Sequence, residues 1–209
     1  MVMDSKTRLP IRFLALGDSY TIGEAVEPEE SWPHQLVGMA GARGITIDPP
    51  VVIAKTGWTT NELLDGIRLA SPEGPYGLVS LLIGVNNLYR GWSLEHFRTE
   101  FRVLLQKALQ LTGNTSGAVA VISIPDWGAT PFAEGKDRAQ ISRVTDEFND
   151  VCRNEALSEG VHFIDVTGIS RMGIADEALL TTDRLHPSAA MYSRWARLVC
   201  NSVFPDKKR

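Results

Sequence analysis

Short, largely apolar runs recur along the chain, and the segments between them are long enough to hold helices. Most runs are rich in Val, Ile, Leu and Ala on both faces, which is typical of strands that are buried in a parallel sheet. They occupy residues 11–16, 51–54, 78–83, 118–124 and 161–166. Few arrangements bury such strands, so this spacing constrains the fold more than any other feature of the chain.

Segments with helical periodicity lie between these runs. Apolar residues recur every three or four positions after Ser93 and again after Asp137. A last helical segment follows Ser188, whose hydroxyl is placed to cap its start. Alternation of strands and helices predicts an α/β fold, namely a three-layer α/β/α sandwich whose crossovers are right-handed.

The order of the strands is indicated by two prolines. Pro49 and Pro50 precede the second predicted strand, and proline is tolerated at the edge of a sheet but not in its centre. A flavodoxin-like five-stranded parallel sheet of order 2-1-3-4-5 puts the second strand at that edge. No linker, repeat or low-complexity segment interrupts the chain, so we expect residues 1–209 to form a single domain.

This strand order predicts where a ligand binds. Open α/β sheets bind ligands outside the carboxyl ends of their strands, at the switch point between strands 1 and 3. Small or polar residues follow the first three predicted strands, in the segments 17–19, 56–58 and 84–87. We therefore expect the functional site at this edge of the sheet.

A serine and a histidine in these positions suggest nucleophilic catalysis. Ser19 follows the first strand, and a serine hydroxyl attacks efficiently only when a base takes its proton. Histidine is the usual base, with an ordinary pKa of about 6.5. His34 and His96 lie in helical patterns and His162 begins a strand, whereas His186 lies in a loop before Pro187.

Asp183 lies three residues before His186 on the same predicted loop. In a turn, this spacing lets a carboxylate accept the Nδ1 proton of the imidazole and leaves Nε2 free to serve the serine. Acyl transfer also needs donors for the oxyanion. The N–H of Gly57 and the side-chain amide of Asn86 are candidates, although the same residues could instead serve a turn or a cap.

Four segments of the chain resemble the sequence blocks of the GDSL, or SGNH, hydrolase superfamily, and they occur in the family order. The first is Ala-Leu-Gly-Asp-Ser-Tyr-Thr at 15–21, and the second is Thr-Gly-Trp-Thr-Thr at 56–60. The third, Ile-Gly-Val-Asn-Asn at 83–87, is similar to the family's Gly-x-Asn-Asp, and Asp-Arg-Leu-His-Pro at 183–187 matches the last block. The resemblance implies the SGNH hydrolase fold.

The resemblance also implies roles for individual residues. Ser19, Asp183 and His186 would be the catalytic triad, and Ser19, Gly57 and Asn86 would form the oxyanion hole. Asn87 stands where the family commonly has Asp, at a position that supports the loop. Further substrate contacts are expected at Asp18, Trp58, Asn87, Trp127 and Phe132. The last two lie in a loop that resembles a loop of some bacterial members of the family. Their aromatic rings could equally serve to pack that loop against the protein.

Composition limits the partners of the chain. A net charge of −4 gives no electrostatic reason to expect nucleic acid as a partner. No His, Cys or carboxylate cluster has the spacing of metal ligands, so neither a metal nor another cofactor is expected. No stretch has the length of a signal peptide core or a membrane span, from which we expect a cytoplasmic protein of unknown oligomeric state.

We therefore expect an enzyme that hydrolyses a small carboxylic ester, such as an acylated sugar, a short aryl or alkyl ester, or a lysolipid. An acyltransferase, a thioesterase or a lysophospholipase could use the same triad. A degenerate member without catalysis is a further alternative. A hypothesis from another class of function is a flavodoxin-like ligand-binding module without catalysis, but it leaves Asp183 and His186 without a role.

Overall fold

Five strands form one parallel sheet in the computed structural model, which describes residues 9–205. The strands are β1 (Phe13–Gly17), β2 (Val51–Ala54), β3 (Leu78–Leu82), β4 (Val119–Ile122) and β5 (His162–Ile164). Their order is β2-β1-β3-β4-β5, and every neighbouring pair is parallel. The predicted sheet and its strand order are confirmed.

Most of the strands are shorter than the apolar runs that predicted them. Ile11 lies outside β1 and makes an isolated parallel bridge with Ile47. At the other end of the sheet, Val166 has helical dihedral angles and lies just before a short helix. Apolar character reports burial, and buried residues continue past the point where pairing between strands stops.

Strand β2 lies at the edge of the sheet, as the two prolines indicated. It pairs only with β1, and Val51 at its start is half exposed. The strands β1, β3 and β4 are instead buried along their whole length. A central strand needs both of its ladders, and a proline just before an edge strand removes no bond from the sheet.

Helices cover both faces of the sheet. They are α1 (Ser19–Ile22), α2 (Trp32–Ala42), α3 (Thr60–Ala70), α4 (Val85–Tyr89), α5 (Leu94–Leu111), α6 (Arg138–Ser158), α7 (Thr167–Ser170) and α8 (Ala189–Val203). Helices α2 and α8 pack together as one layer, whereas α5 packs against both α3 and α6 in the other. That residues 1–209 form a single domain stays a prediction.

Aromatic side chains fill the core on each side of the sheet. Phe13 of β1 packs against Trp32 of α2, with ring centroids 6.3 Å apart. In the other layer, Phe97 of α5 lies 4.6 Å from Phe148 of α6 and 5.5 Å from Phe101. Because these rings are completely or almost completely buried, they hold the helices in place by the apolar area that they remove from water.

Ser188 occupies the N-cap position of α8, as predicted, but its side chain does not cap the helix. Its hydroxyl donates instead to the carbonyl of Ala178, at 2.8 Å. This bond joins the start of α8 to the segment that precedes the His186 loop. The expectation of a side-chain cap was therefore wrong, because a tertiary acceptor competes for the hydroxyl.

Replacing Phe97 with Ala should lower the free energy of unfolding by about 3–5 kcal/mol, because a fully buried ring leaves a cavity that close packing cannot refill. Urea unfolding followed by circular dichroism measures the change. Val103→Ala in the same helix is the matched control, since Val103 is half exposed and should change the free energy by no more than about 0.5 kcal/mol. Equal losses in the two variants would contradict this account of the core.

Candidate active site

The turn after β1 presents Ser19 at the carboxyl end of the sheet. Gly17 ends the strand, where a Cβ atom would collide with the Thr21 hydroxyl and the Leu82 carbonyl. Asp18 follows in an extended conformation as the N-cap of α1, and its Oδ1 accepts the N–H of Tyr20 at 3.0 Å. Ser19 is thus the first residue of a tight helical turn, and little of it is exposed.

A chain of two hydrogen bonds joins Ser19, His186 and Asp183. The Oγ of Ser19 lies 3.0 Å from Nε2 of His186, although the two residues are 167 positions apart in the sequence. On the other side of the ring, Nδ1 lies 2.6 Å from Oδ2 of Asp183. A carboxylate can only accept, so Nδ1 carries the proton of the neutral ring and Nε2 is left to accept from the serine.

The carboxylate of Asp183 organises the loop that carries His186. Its Oδ1 accepts the Thr181 hydroxyl at 2.7 Å, the Leu185 N–H at 2.8 Å and the His186 N–H at 2.9 Å. Partial burial raises the pKa of Asp183, but the hydrogen bonds from His186, Thr181 and Leu185 outweigh it and lower that pKa to about 2. The group is therefore ionised at neutral pH, where it accepts the hydrogen bond from Nδ1 of His186.

The ring of His186 is held by packing as well as by its bonds. Tyr20 packs against it with ring centroids 5.3 Å apart, and Tyr20 in turn packs against Trp195 of α8. The backbone of the loop closes on itself, because Thr181 N–H donates to the His186 carbonyl at 2.8 Å. These contacts leave the imidazole one orientation, the one that faces Ser19.

Gly57 and Asn86 line the same cavity as Ser19, Gly57 from the loop after β2 and Asn86 from α4, which follows β3. Gly57 has a φ of +82°, a conformation that side chains disfavour, and its carbonyl accepts from Arg90 at 2.7 Å. The side-chain amide of Asn86 donates to the Trp58 carbonyl at 2.9 Å. An amide has two N–H groups, so this bond orients Asn86 and leaves one donor for a ligand.

These residues line a cavity of about 240 Å³. Besides Ser19, His186, Gly57 and Asn86, its walls include Tyr20, Val85, Tyr89, Trp127, Phe132 and Leu185. Such a volume lies below the roughly 300–1,000 Å³ of common small-molecule sites. A larger cavity of about 580 Å³ lies between α3 and α5, but no predicted site residue lines it, so size alone does not identify the site.

The expected substrate contacts divide into two groups. Trp127 and Phe132 line the cavity, whereas Asp18, Trp58 and Asn87 do not. Asp18 and Asn87 are fully buried, and Asn87 exchanges two hydrogen bonds with Thr60 at the start of α3. Asn87 instead ties the third block to α3, and Trp58 packs over Gly66. That Asp18, Trp58 and Asn87 contact substrate stays a prediction.

Sequence reasoning missed several residues that shape the cavity. Tyr89 lines it from the last position of α4, three residues after Asn86. Arg90 fixes the Gly57 carbonyl and lies 3.3 Å from Glu62. The spacing of Tyr89 from Asn86 on one helical turn was a usable signal, but nothing in the sequence indicated the partner of Arg90.

Two further structural facts bear on the expectations from composition. Within residues 9–205, no group of three or more His, Cys, Asp or Glu side chains is placed to hold a metal ion. Over the same residues, no helix has both the length and the apolar character needed to cross a membrane. Where in the cell the protein acts stays a prediction.

Comparison with known proteins places this geometry in context. The model of the GDSL-like Lipase/Acylhydrolase family matches residues 15–194. The psychrotrophic esterase EstA from Pseudoalteromonas sp. is similar in structure at 18% sequence identity, with a TM-score of 0.69, over 92% of this chain and 96% of that one. No curated protein matches in a sequence search.

Two other solved structures are similar over nearly their whole length. Axe2, an acetylxylan esterase from Geobacillus stearothermophilus, shows 20% identity and a TM-score of 0.71, over 95% of this chain and 96% of that one. The lipase/acylhydrolase from Enterococcus faecalis shows 20% identity and a TM-score of 0.69, over 92% and 95%. At such identities the likeness shows the fold, and the predicted fold class is confirmed.

The carboxyl group of Asp18 should make stability depend on pH. Burial raises its pKa to about 7, against the lowering effect of the backbone N–H groups of Tyr20 and Asp18 itself. The folded state thus keeps a proton that the unfolded chain releases near pH 4, so stability should fall as pH rises from about 4 to 7, by at most about 1.4 kcal/mol per pH unit. Urea unfolding of wild type and Asp18→Asn across this range measures the difference.

The asparagine variant should lack this component of the slope, because it has no proton to release. Asp65→Asn, which changes an exposed carboxylate on α3, is the control and should keep the wild-type slope. If the difference between wild type and Asp18→Asn stayed constant from pH 4 to 7, the folded state would not be holding that proton.

Proposed function

The chain belongs to the GDSL-like lipase/acylhydrolase family and is a carboxylic ester hydrolase, and from that premise we propose that it cleaves a small carboxylic ester through an acyl-enzyme on Ser19. The observation that carries the proposal is the hydrogen-bonded chain from Ser19 through His186 to Asp183, which opens into the 240 Å³ cavity. A base within 3.0 Å of a serine hydroxyl, itself oriented by a carboxylate, is the arrangement that nucleophilic catalysis requires.

Acylation begins when Ser19 Oγ attacks the carbonyl carbon of the ester and its proton passes to His186 Nε2. The carbonyl π electrons move to oxygen and form a tetrahedral oxyanion. His186 then gives the same proton to the leaving alkoxide, the carbon–oxygen bond breaks, and the alcohol departs. Asp183 stays ionised throughout, since its pKa is lowered to about 2, and its charge stabilises the imidazolium while that cation exists.

The oxyanion is proposed to receive hydrogen bonds from three groups. The N–H of Ser19 lies at the start of α1, where backbone donors have no partner within the helix. The N–H of Gly57 and the second amide proton of Asn86 complete the set. Arg90 and the Trp58 carbonyl hold the two outer donors in place before substrate arrives, which is the pre-organisation that makes such donors effective.

Deacylation repeats these steps with water as the nucleophile. His186 takes a proton from water as it attacks the acyl carbon, and then returns a proton to Ser19 Oγ as the acid leaves. The acyl-enzyme could instead pass its acyl group to another alcohol or to an amine, which would be acyl transfer, and product analysis with candidate acceptors separates this from hydrolysis. A thioesterase or a lysophospholipase would use the same residues on a substrate with a different leaving group.

The walls of the cavity support a small ester as substrate. Trp127, Phe132, Tyr89, Val85 and Leu185 present mainly apolar surface around the triad, and none of them carries a charge. Axe2 is an acetylxylan esterase and EstA an esterase, and Axe2 also has catalytic serine-to-alanine and histidine-to-alanine mutants. We accordingly propose acetyl and other short acyl esters as the substrate class, with the alcohol portion outside the cavity.

Ser19→Ala should abolish hydrolysis of p-nitrophenyl acetate, with kcat falling by about 10⁴-fold or more, because no other group can form the acyl-enzyme. Release of p-nitrophenol by purified wild type and variant measures the change. Ser158→Ala, which alters an exposed serine at the end of α6, is the matched control and should keep full activity.

A phosphonate ester adds a direct readout, since it should increase the mass of the peptide that contains Ser19 and leave the Ser19→Ala protein unlabelled. Full esterase activity in Ser19→Ala, or a label elsewhere in the wild type, would remove Ser19 from the mechanism.

Asn86→Ala should lower kcat by about 10²–10³-fold with little change in KM, because an oxyanion donor acts in the transition state and not on the bound ester. Steady-state kinetics with p-nitrophenyl acetate separate the two constants. A variant with unchanged kcat and a raised KM would show that Asn86 binds the ground state instead. Thermal unfolding of the variant checks that loss of the bond to the Trp58 carbonyl has not unfolded the loop.

A further inference from the structure

A second cavity lies behind one wall of the catalytic cavity. It has a volume of about 530 Å³, within the roughly 300–1,000 Å³ of common ligand sites. Apolar side chains of Leu88, Trp92, Ile141 and Val144 line it, with Lys136 and Gln140 as its polar members. Tyr89 and Trp127 line both cavities, and their rings meet edge to face with centroids 5.3 Å apart. This pair of rings is therefore the shared wall.

The wall stands at the end of a row of aromatic contacts that begins at the His186 loop. Phe132 is tied to that loop, because its N–H donates to the Arg184 carbonyl at 3.2 Å. Trp127 follows, 6.2 Å from Phe132, and Tyr89 follows Trp127. The row runs from the general base towards α4, which also carries the oxyanion donor Asn86.

This direction assigns the wall to the acyl side of the substrate. His186 must protonate the leaving alkoxide, so the alcohol portion of the ester lies beside His186. The four substituents of a tetrahedral carbon point apart, and the acyl substituent therefore points away from the imidazole. The aromatic row also leads away from the His186 loop, to Tyr89 and the second cavity.

The two rings of the wall differ in how firmly they are held. Trp127 is buried, and the Asp126 carboxylate before it accepts the Gly128 N–H at 2.9 Å and the Arg171 Nε at 2.8 Å. The Thr130 hydroxyl also donates to the Trp127 carbonyl, at 2.7 Å. Tyr89 is instead 56% exposed at the end of a short helix. Its side chain can therefore be removed without opening the core.

We propose that Tyr89 sets the acyl-chain length of this enzyme by closing the catalytic cavity against the second one, which is shaped to take the distal part of a linear aliphatic acyl chain. The proposal rests on the proposed function, since it concerns the substrate of the same site. In the wild type, the acyl group ends at the ring of Tyr89, and short acyl esters are preferred. Without that ring, the two cavities join into one channel, along which Leu88, Ile141 and Val144 offer apolar contacts to an acyl chain.

The test compares kcat/KM for p-nitrophenyl acetate and p-nitrophenyl octanoate in wild type and Tyr89→Ala. The ratio of octanoate to acetate should rise by about tenfold or more in the variant, because each methylene that becomes buried is worth about fourfold in binding. Tyr89→Phe keeps the ring and should keep the wild-type ratio. Leu157→Ala, which truncates another exposed apolar side chain, controls for a general effect of surface truncation.

A double variant tests the role of the second cavity itself. Val144→Trp puts a large ring into that cavity, so in the Tyr89→Ala background it should return the ratio towards the wild-type value. Activity on the acetate ester reports that each protein is folded. If the double variant kept the gain, the octanoyl chain would be leaving by another route and the assignment of the second cavity would be overturned.

The other outcomes separate this proposal from the one on which it rests. Acetate hydrolysis that depends on Ser19, together with an unchanged ratio in Tyr89→Ala, would overturn the role of Tyr89 and leave the ester hydrolase intact. A wild type that already prefers octanoate would do the same. Absence of Ser19-dependent hydrolysis with every ester would instead contradict the proposed function itself.

Discussion

Every strand of the sheet runs in the same direction, so each one delivers its last residue to the same edge. Ser19 follows β1, Gly57 follows β2 and Asn86 follows β3, and the order β2-β1-β3 makes these three ends neighbours. His186 enters from the loop after β5 and α7. The parallel register thus brings together groups that are up to 167 residues apart, and a slip in the pairing would disperse them.

Two carboxyl groups near Ser19 are placed in opposite environments. Asp183 collects four hydrogen bonds, and its pKa is lowered to about 2, whereas burial raises the pKa of Asp18 to about 7. The first holds a negative charge beside His186. The second shapes the turn at Ser19 through its bond to the Tyr20 N–H. Two aspartates thus have different roles, one as a negative charge and the other as a hydrogen-bond acceptor that shapes the backbone. Solvation and hydrogen bonding decide their protonation states.

A site residue could be predicted from the sequence when its position relative to a predicted strand or helix indicated its role. Ser19, His186 and Asp183 could be singled out because each lies just after a strand or in the loop before the last helix. Asp18 and Asn87 lie in the same motifs, yet both are fully buried, and their proximity in sequence to Ser19 and Asn86 did not indicate this burial. Tyr89, Arg90 and Arg171 were not predicted, since their partners come from distant segments.

The sequence by itself determined the class of fold, the order of the strands and the edge at which the site lies, because apolar runs, helical periodicity and the two prolines before β2 are local signals of burial and pairing. Only the tertiary structure decided the strand ends, the hydroxyl partner of Ser188 and the shape of the cavity. Each of these depends on side chains that meet across the fold, such as Tyr89 and Trp127. Contacts of that kind produce no periodic pattern in the sequence, because the two partners lie far apart along the chain and meet only when it folds.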